Sequence, residues 1–229
     1  MPSPKFDYAD WINRAKAFVS VLADLPGEVS VDTSVSPPMT RHEADMLARS
    51  CPMGLPPVLI DFLTLGSGRC DCRYWWEPPS RPWPQLKEIF TYENFIYGGP
   101  AFCHPEMLPG LQESRLDWAE CFEGDDDESV RDRELWTRST PFAHIGNGDL
   151  LALDTEASEL DPPVVYLSHE GGSSVVSPSF TGFLRHWETM SYIGPEIWLL
   201  SYWLEDGSGY IDSDHPKSGL LRTLLTSRP

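Results

Sequence analysis

Positive charge is scarce in this sequence: 17 Lys and Arg stand against 35 Asp and Glu, a formal net charge of -18. Contact with nucleic-acid phosphates relies on Lys and Arg, so general nucleic-acid binding is excluded and a charged partner is expected to be basic. Long apolar runs are missing too. None approaches the roughly 18 residues that a membrane-spanning helix requires. The start, Met1-Pro-Ser-Pro-Lys5, has no basic region followed by an apolar one, so no secretory signal is read and the cytoplasm is the expected compartment. Cysteines are few, odd in number and irregularly spaced (Cys51, Cys70, Cys72, Cys103 and Cys121), which describes no disulfide framework and predicts reduced thiols. Catalytic signatures are lacking as well: no GxSxG, HExxH, Walker-type phosphate loop or full GxGxxG run occurs. No catalytic residue and no cofactor is assigned, and the protein is expected not to be an enzyme.

What is abundant is apolar and aromatic material, with nine Trp, eight Tyr and ten Phe in 229 residues, enough for a substantial core in one domain over residues 1–229. Tyr8, Trp11, Ile12, Ala15, Phe18, Val19 and Leu22 keep a helical spacing over residues 7–25 until Pro26-Gly27 ends it. A polar link, Glu28 to Pro38, leads to the capping box Thr40-Arg-His-Glu43 and a helix that Pro52 stops. Pro56-Pro57 opens a short helix through Phe62 and Leu63, closed by Gly66-Ser-Gly68. Cys70 to Trp76 reads as a strand, Pro78 to Pro84 as a loop, Ile89 to Tyr97 as a further strand, Gly98-Gly-Pro100 as a turn and Pro105 to Leu111 as a loop or one helical turn. Glu113 to Glu134 holds ten acids and three arginines and reads as a solvated loop. The pattern is clearest from Pro141 to Trp187. Ile145-Gly-Asn-Gly-Asp149 is a glycine turn, and Leu150 to Leu153 and Val164 to Leu167 are strands separated by the break Asp154 to Pro163. Ser177 or Ser179 then caps a helix with apolar positions Phe180, Phe183, Leu184 and Trp187 at i, i+3, i+4 and i+7. Residues 188–229 read as a helical extension through Ile197 to Leu204, a Gly207-Ser-Gly209 turn and Leu220 to Leu225.

Three constellations have a chemical reading that yields to a plainer one. Cys70 and Cys72 point the same way on a strand, but a structural zinc needs two more ligands, so they are read as core thiols and no metal is assigned. His169 and Glu170 resemble an acid/base pair, yet neighbours on a strand face opposite sides. The amides of Gly146-Asn-Gly148 invite an anion that Asp149, Asp154, Glu156 and Glu159 would repel, so a turn is the better reading.

Several of these pieces occur in an order that resembles the SUKH superfamily (SMI/KNR-like), which includes bacterial toxin-immunity proteins and fungal cell-wall-assembly regulators. They are Leu55-Pro56 with Phe62-Leu63, Gly66-Ser-Gly68, Gly146-Asn-Gly-Asp149, Leu153-Asp154, Pro163 to Tyr166, His169-Glu170, and Ser179-Phe180 with Phe183-Leu184. The resemblance covers about residues 40–187. It implies an α+β fold, a mixed, largely antiparallel sheet flanked by several helices, and a function exerted by binding a protein, with the acidic insert and the C-terminal extension outside the pattern.

Charge then points to a surface. Glu113 to Leu184 holds sixteen acids and four arginines, a net -12, and no Lys or Arg lies between Arg138 and Arg185. Charge of one sign concentrated in this way steers an oppositely charged partner. The candidate partner-binding residues are Asp125, Asp126, Asp127 and Glu128 in the insert, and Asp149, Asp154, Glu156, Glu159, Asp161 and Glu170 around the two strands. The second group ranks higher because flanking strands should hold it in place. The combined expectation is an immunity-type protein that neutralises a basic toxin domain, with an intracellular regulatory or scaffold module as the alternative. The sequence leaves the oligomeric state open.

Overall fold

A computed structural model describes residues 5–79, 84–91, 94–204 and 209–226. The expected loop around Pro82 and part of the Gly207-Ser-Gly209 turn lie outside these residues. The class is α+β: helices pack against two antiparallel sheets, one of three strands and one of four.

Helix α1 (Tyr8–Leu22) starts where Asp7 accepts the Asp10 amide at 2.9 Å, and all seven residues of its apolar stripe are buried. Strand β1 (Glu28–Val35) pairs along its whole length with β2 (Cys70–Glu77), which in turn pairs with β3 (Ile96–Gly98). Between β1 and β2, α2 (Arg41–Ser50) carries the expected Thr40/Glu43 capping box, and α3 (Pro57–Asp61) runs on into a wide turn at Phe62–Gly66. Two expectations fail here. The polar link is strand β1, whose Val29, Val31, Thr33 and Val35 alternate with polar residues as a strand requires. The strand expected from Ile89 shrinks to Ile96–Gly98, because α4 (Pro84–Ile89) takes the chain first and sends Leu86, Ile89 and Phe90 into the core. Gly99 follows in the left-handed region (φ 105°), where a Cβ would overlap the Cys72 carbonyl oxygen.

The four-stranded sheet runs β4 (Ser139–His144), β5 (Leu150–Asp154), β6 (Val164–Leu167) and β7 (Ser174–Ser177), each antiparallel to the next. Every residue of β5 and β6 is buried. Alternate side chains serve different layers, as the two-residue period of a strand demands. Leu151, Leu153, Val164 and Tyr166 join the main core with Trp11, Phe62, Phe183 and Trp187; Leu150, Ala152, Val165 and Leu167 enter a second core on the opposite face. Continuous apolar runs, where one-sided strands would alternate, are therefore the mark of a sheet covered on both faces.

What covers the second face is the stretch read as a solvated loop. Most of Glu113 to Glu134 belongs to α5 (Leu108–Glu120) and α6 (Asp127–Arg138), joined by a short connection, and the two helices pack Ala119, Leu135 and Trp136 onto β5 and β6. The charge density is real, but most of it occupies the outer sides of two helices and the connection between them. After β7, Ser179 caps α7 (Phe180–Thr189) by accepting the Gly182 amide at 3.1 Å. Trp187 is buried and donates to the Ile193 carbonyl at 2.8 Å. The chain ends in α8 (Ile197–Leu200) and α9 (Pro216–Thr226), with Leu221 and Leu225 in the main core.

Candidate partner-binding surface

The outward face of the α5–α6 hairpin is built by what its inner side needs. On α5, Leu108, Gln112, Arg115 and Ala119 fall at i, i+4, i+7 and i+11 and are all buried. Gln112 accepts the Met53 amide at 2.9 Å and donates to the Gly54 carbonyl at 3.0 Å. Arg115 donates to the carbonyls of Trp136 and Thr137, and burial pulls its guanidinium down to about 10. On α6, Asp126 is the N-cap, accepting the amides of Glu128 and Ser129 at 3.1 and 3.0 Å; hydrogen bonds from Ser129 hold its carboxyl below the usual range. Asp127 and Glu128 sit in the first turn, where the helix dipole favours negative charge. Buried Asp132 ties the helix to the β6–β7 turn by accepting the amides of Gly172 and Ser173 at 2.9 and 2.7 Å.

The consequence is an uncompensated surface. Of the four arginines between Glu113 and Leu184, Arg115 is buried, Arg133 donates to the carbonyls of Phe122 and Gly124, and Arg138 pairs with Asp154 at 2.9 Å. Only Arg131 is classed as exposed, against twelve exposed carboxylates in the same span.

The ten residues singled out in the sequence do not lie together. Asp125, Asp126, Asp127 and Glu128 are exposed at the start of α6, and Glu156, Glu159 and Glu170 are exposed on the loops flanking β6. Asp149 and Asp154 are both 2% exposed and are spent inside the fold. Asp161 is half-buried and accepts from the amide and hydroxyl of Thr181 at the start of α7. The strands fix the second group by burying part of it, while the first stands exposed around the N-terminus of α6. Glu113, Asp117, Glu120, Glu123 and Glu134 are also exposed on the hairpin. Reading their stretch as loop hid them, although the spacing of Leu108, Gln112, Arg115 and Ala119 carries the helical signal.

Asp149 has a different task. Its carboxylate accepts from the Tyr166 hydroxyl at 2.5 Å, Asn147 Nδ2 at 2.6 Å and the His169 amide at 3.0 Å, and meets His169 Nδ1 at 2.6 Å. Burial raises its pKa, but these bonds outweigh burial and hold it below the ordinary value. The network locks the glycine turn, with Gly148 at φ 103°, to the end of β6. His169 therefore works with Asp149, while Glu170 stands 4.0 Å from Nε2. Trp118 packs edge-on against His169, ring centroids 5.5 Å apart, and puts a 38% exposed indole beside the acidic face. Cys70 and Cys72 point into the main core, and burial pushes the Cys103 thiol up to about 12. Among the described residues no group of three or more His, Cys, Asp or Glu is placed to hold a metal ion, and no helix is long and apolar enough to cross a membrane.

The protein is thus α+β, with a four-stranded antiparallel sheet covered on both faces and an acidic surface along α5 and α6. The model of the SMI1/KNR4 family (SUKH-1) matches residues 48–186, more than half of the chain, and the protein belongs to that family. No curated protein and no solved structure matches the chain. Membership supports an immunity-like or SMI1-type module acting through protein–protein contact in general.

Proposed function

We propose that the protein is an immunity-type binding protein that blocks a toxin domain by covering a basic surface with the outward face of α5 and α6. The observation that carries this reading is the count of twelve exposed carboxylates against one exposed arginine between Glu113 and Leu184. Glu113, Asp117, Glu120, Asp127, Glu128 and Glu134 stand on packed helices, so they meet a partner without the entropy cost of ordering a loop. Glu156 and Glu159 in the β5–β6 loop and Glu170 in the β6–β7 turn add exposed charge at the two ends of β6. Trp118 supplies an aromatic anchor of the type that dominates binding energy when ringed by polar groups. Binding alone suffices, because a toxin groove made to hold phosphates is competed for by carboxylates.

The test begins with the adjoining reading frame, which should encode a large secreted protein ending in a toxin domain. Co-expression should rescue cells from that domain. Replacing Glu113, Asp117, Glu120 and Glu123 with the corresponding amides should slow association and flatten its dependence on salt. Rates that are equal and independent of salt would show that the charge serves solubility alone. A family member that assembles intracellular partners would give no rescue.

A further inference from the structure

The outer face of the three-stranded sheet forms one wall of a cleft of about 760 Å³. Strand β2 sends Cys70, Cys72, Tyr74 and Trp76 into the main core, so Asp71, Arg73 and Trp75 point the other way. Register places Ser30, Trp75 and Tyr97 in one cross-strand row, and Asp32 opposite Arg73 in the next. The opposing wall comes from Cys103 to Met107, the β4–β5 turn at His144 to Gly146, and Gly194 to Glu196.

Two features of this cleft converge on one chemistry. The first is aromatic: Trp75 and Tyr97 line it, and Phe95 packs against both, with centroids 6.0 and 6.1 Å away. The second is Glu196, whose Oε2 is buried without a hydrogen-bond partner; burial raises its pKa, opposed by hydrogen bonds that include one with Tyr97. The other charges in the cleft are Asp32, Asp71, Arg69 and Arg73, and His104 and His144 also line it. Arg73 Nε lies 2.7 Å from Asp71, and Asp32 faces it across the strands. Arg69 Nε, like Glu196 Oε2, is buried without a hydrogen-bond partner, and counted together the cleft's three carboxylates exceed its two guanidinium groups by one. A carboxylate beside aromatic faces suits a guanidinium, which stacks on rings and donates in a fork to an acid.

We propose that this cleft receives an arginine side chain of the protein partner, stacked on Trp75 and Tyr97 with Glu196 as its counter-charge. The source of the arginine rests on the toxin-binding reading above, and the preference of the cleft does not. An acidic hairpin suits a basic partner, and the chain from His104 to Met107 leads from the cleft directly into α5, so both surfaces lie on one path of the chain.

The test uses the full chain with Nα-acetyl-arginine methylamide as probe, followed through the indole NMR signals. The neutral citrulline and anionic glutamate counterparts are the controls. The arginine probe should shift the Trp75 signal saturably, and citrulline should not. Glu196→Gln, which keeps the shape of the side chain, should weaken the probe roughly tenfold, about the worth of one charge-assisted hydrogen bond, with an unreduced melting temperature showing that the variant is folded. Trp75→Ala, followed by calorimetry, should weaken it as well. Equal responses to arginine and citrulline, or preferential binding of the glutamate probe, would overturn the proposal. Loss of toxin binding by Glu196→Gln in parallel with loss of the probe supports the partner's arginine as occupant. Intact probe binding with no toxin partner refutes the toxin reading and leaves the arginine preference of the cleft standing.

Discussion

Trp136→Ala tests whether the acidic stretch belongs to the fold. Trp136 is fully buried between the hairpin and the sheet. Its Nε1 lies 3.2 Å from Ser173 Oγ and 3.3 Å from the Ser168 carbonyl, and its ring packs on Trp118 and Phe122, each with a centroid 6.2 Å away. Truncating such a residue costs about 3–5 kcal/mol, and in a chain of this size each kcal/mol lowers the melting temperature by about 2–4 °C, so a fall of roughly 6–20 °C is expected. Trp118 is the internal control. At 38% exposed it loses mainly ring contacts on truncation, worth about 0.5–1.5 kcal/mol, and its variant should melt within a few degrees of the parent. Thermal melts followed by near-UV circular dichroism separate the two, and limited proteolysis between residues 108 and 138 should accelerate only for Trp136→Ala. A Trp136→Ala protein that melts like the parent would show that the hairpin is detachable and that the sheet needs no second cover.

Other substitutions probe separate links. Asp132→Ala strips the acceptor from two amides, which at about 1–3 kcal/mol for each unpaired group should cost about 2–6 kcal/mol in urea unfolding. Asp149 is held below its ordinary value of 3.8, so its contribution to stability is full above that value and is lost as pH falls through the lower folded value. The stability gap between the parent and Asp149→Asn should therefore narrow in acid, and a constant gap would contradict the network. Glu196 has the opposite sign. Its folded pKa lies above 4.5, so its favourable contribution is present below that value and disappears as pH rises through the folded pKa. Glu196→Gln should consequently be the more stable protein at pH 7 and lose that advantage in acid, as calorimetric melts at several pH values would show.

Where one physical signal dominated, the sequence was legible. The stripe from Tyr8 to Leu22, the Thr40/Glu43 box, the runs at Leu150 and Val164 and the Phe180 to Trp187 helix each combine periodicity with a cap or a turn, and the structure holds each close to where it was expected. Two kinds of signal were overridden. In Glu28 to Val35 the polar partners of the valines suggested a link, although a strand that leaves one side to solvent alternates in this way. In Glu113 to Glu134 the acids swamped the apolar spacing, and the inner side of α5 is itself partly polar because Gln112 and Arg115 occupy buried positions. The cleft could not be read at all. Trp75, Tyr97 and Glu196 meet through strand register and a distant loop, and their spacing along the chain gives no hint of it.

The same arginines explain both the hairpin's stability and its charge, and this makes the two properties separable by mutation. Arg115 holds carbonyls in the last turn of α6, Arg133 holds carbonyls in the α5–α6 connection, and Arg138 pairs with Asp154 at the sheet, so three of the four positive charges are engaged by the contacts that anchor the hairpin. Arg131 is exposed and makes no such contact among the described residues. Arg131→Gln should therefore leave the melting temperature unchanged while speeding association with a basic partner and steepening its decline with salt. Arg115→Gln should do the reverse. It leaves the carbonyls of Trp136 and Thr137 without their charged donor, at about 1.5–3 kcal/mol for each bond, and the melting temperature should fall while the salt dependence of the folded fraction stays close to that of the parent. Stopped-flow association over a range of ionic strength, set beside thermal melts of both variants, distinguishes the roles. If Arg131→Gln destabilised the fold, or if Arg115→Gln changed the salt slope alone, the division between anchoring and surface charge would be wrong.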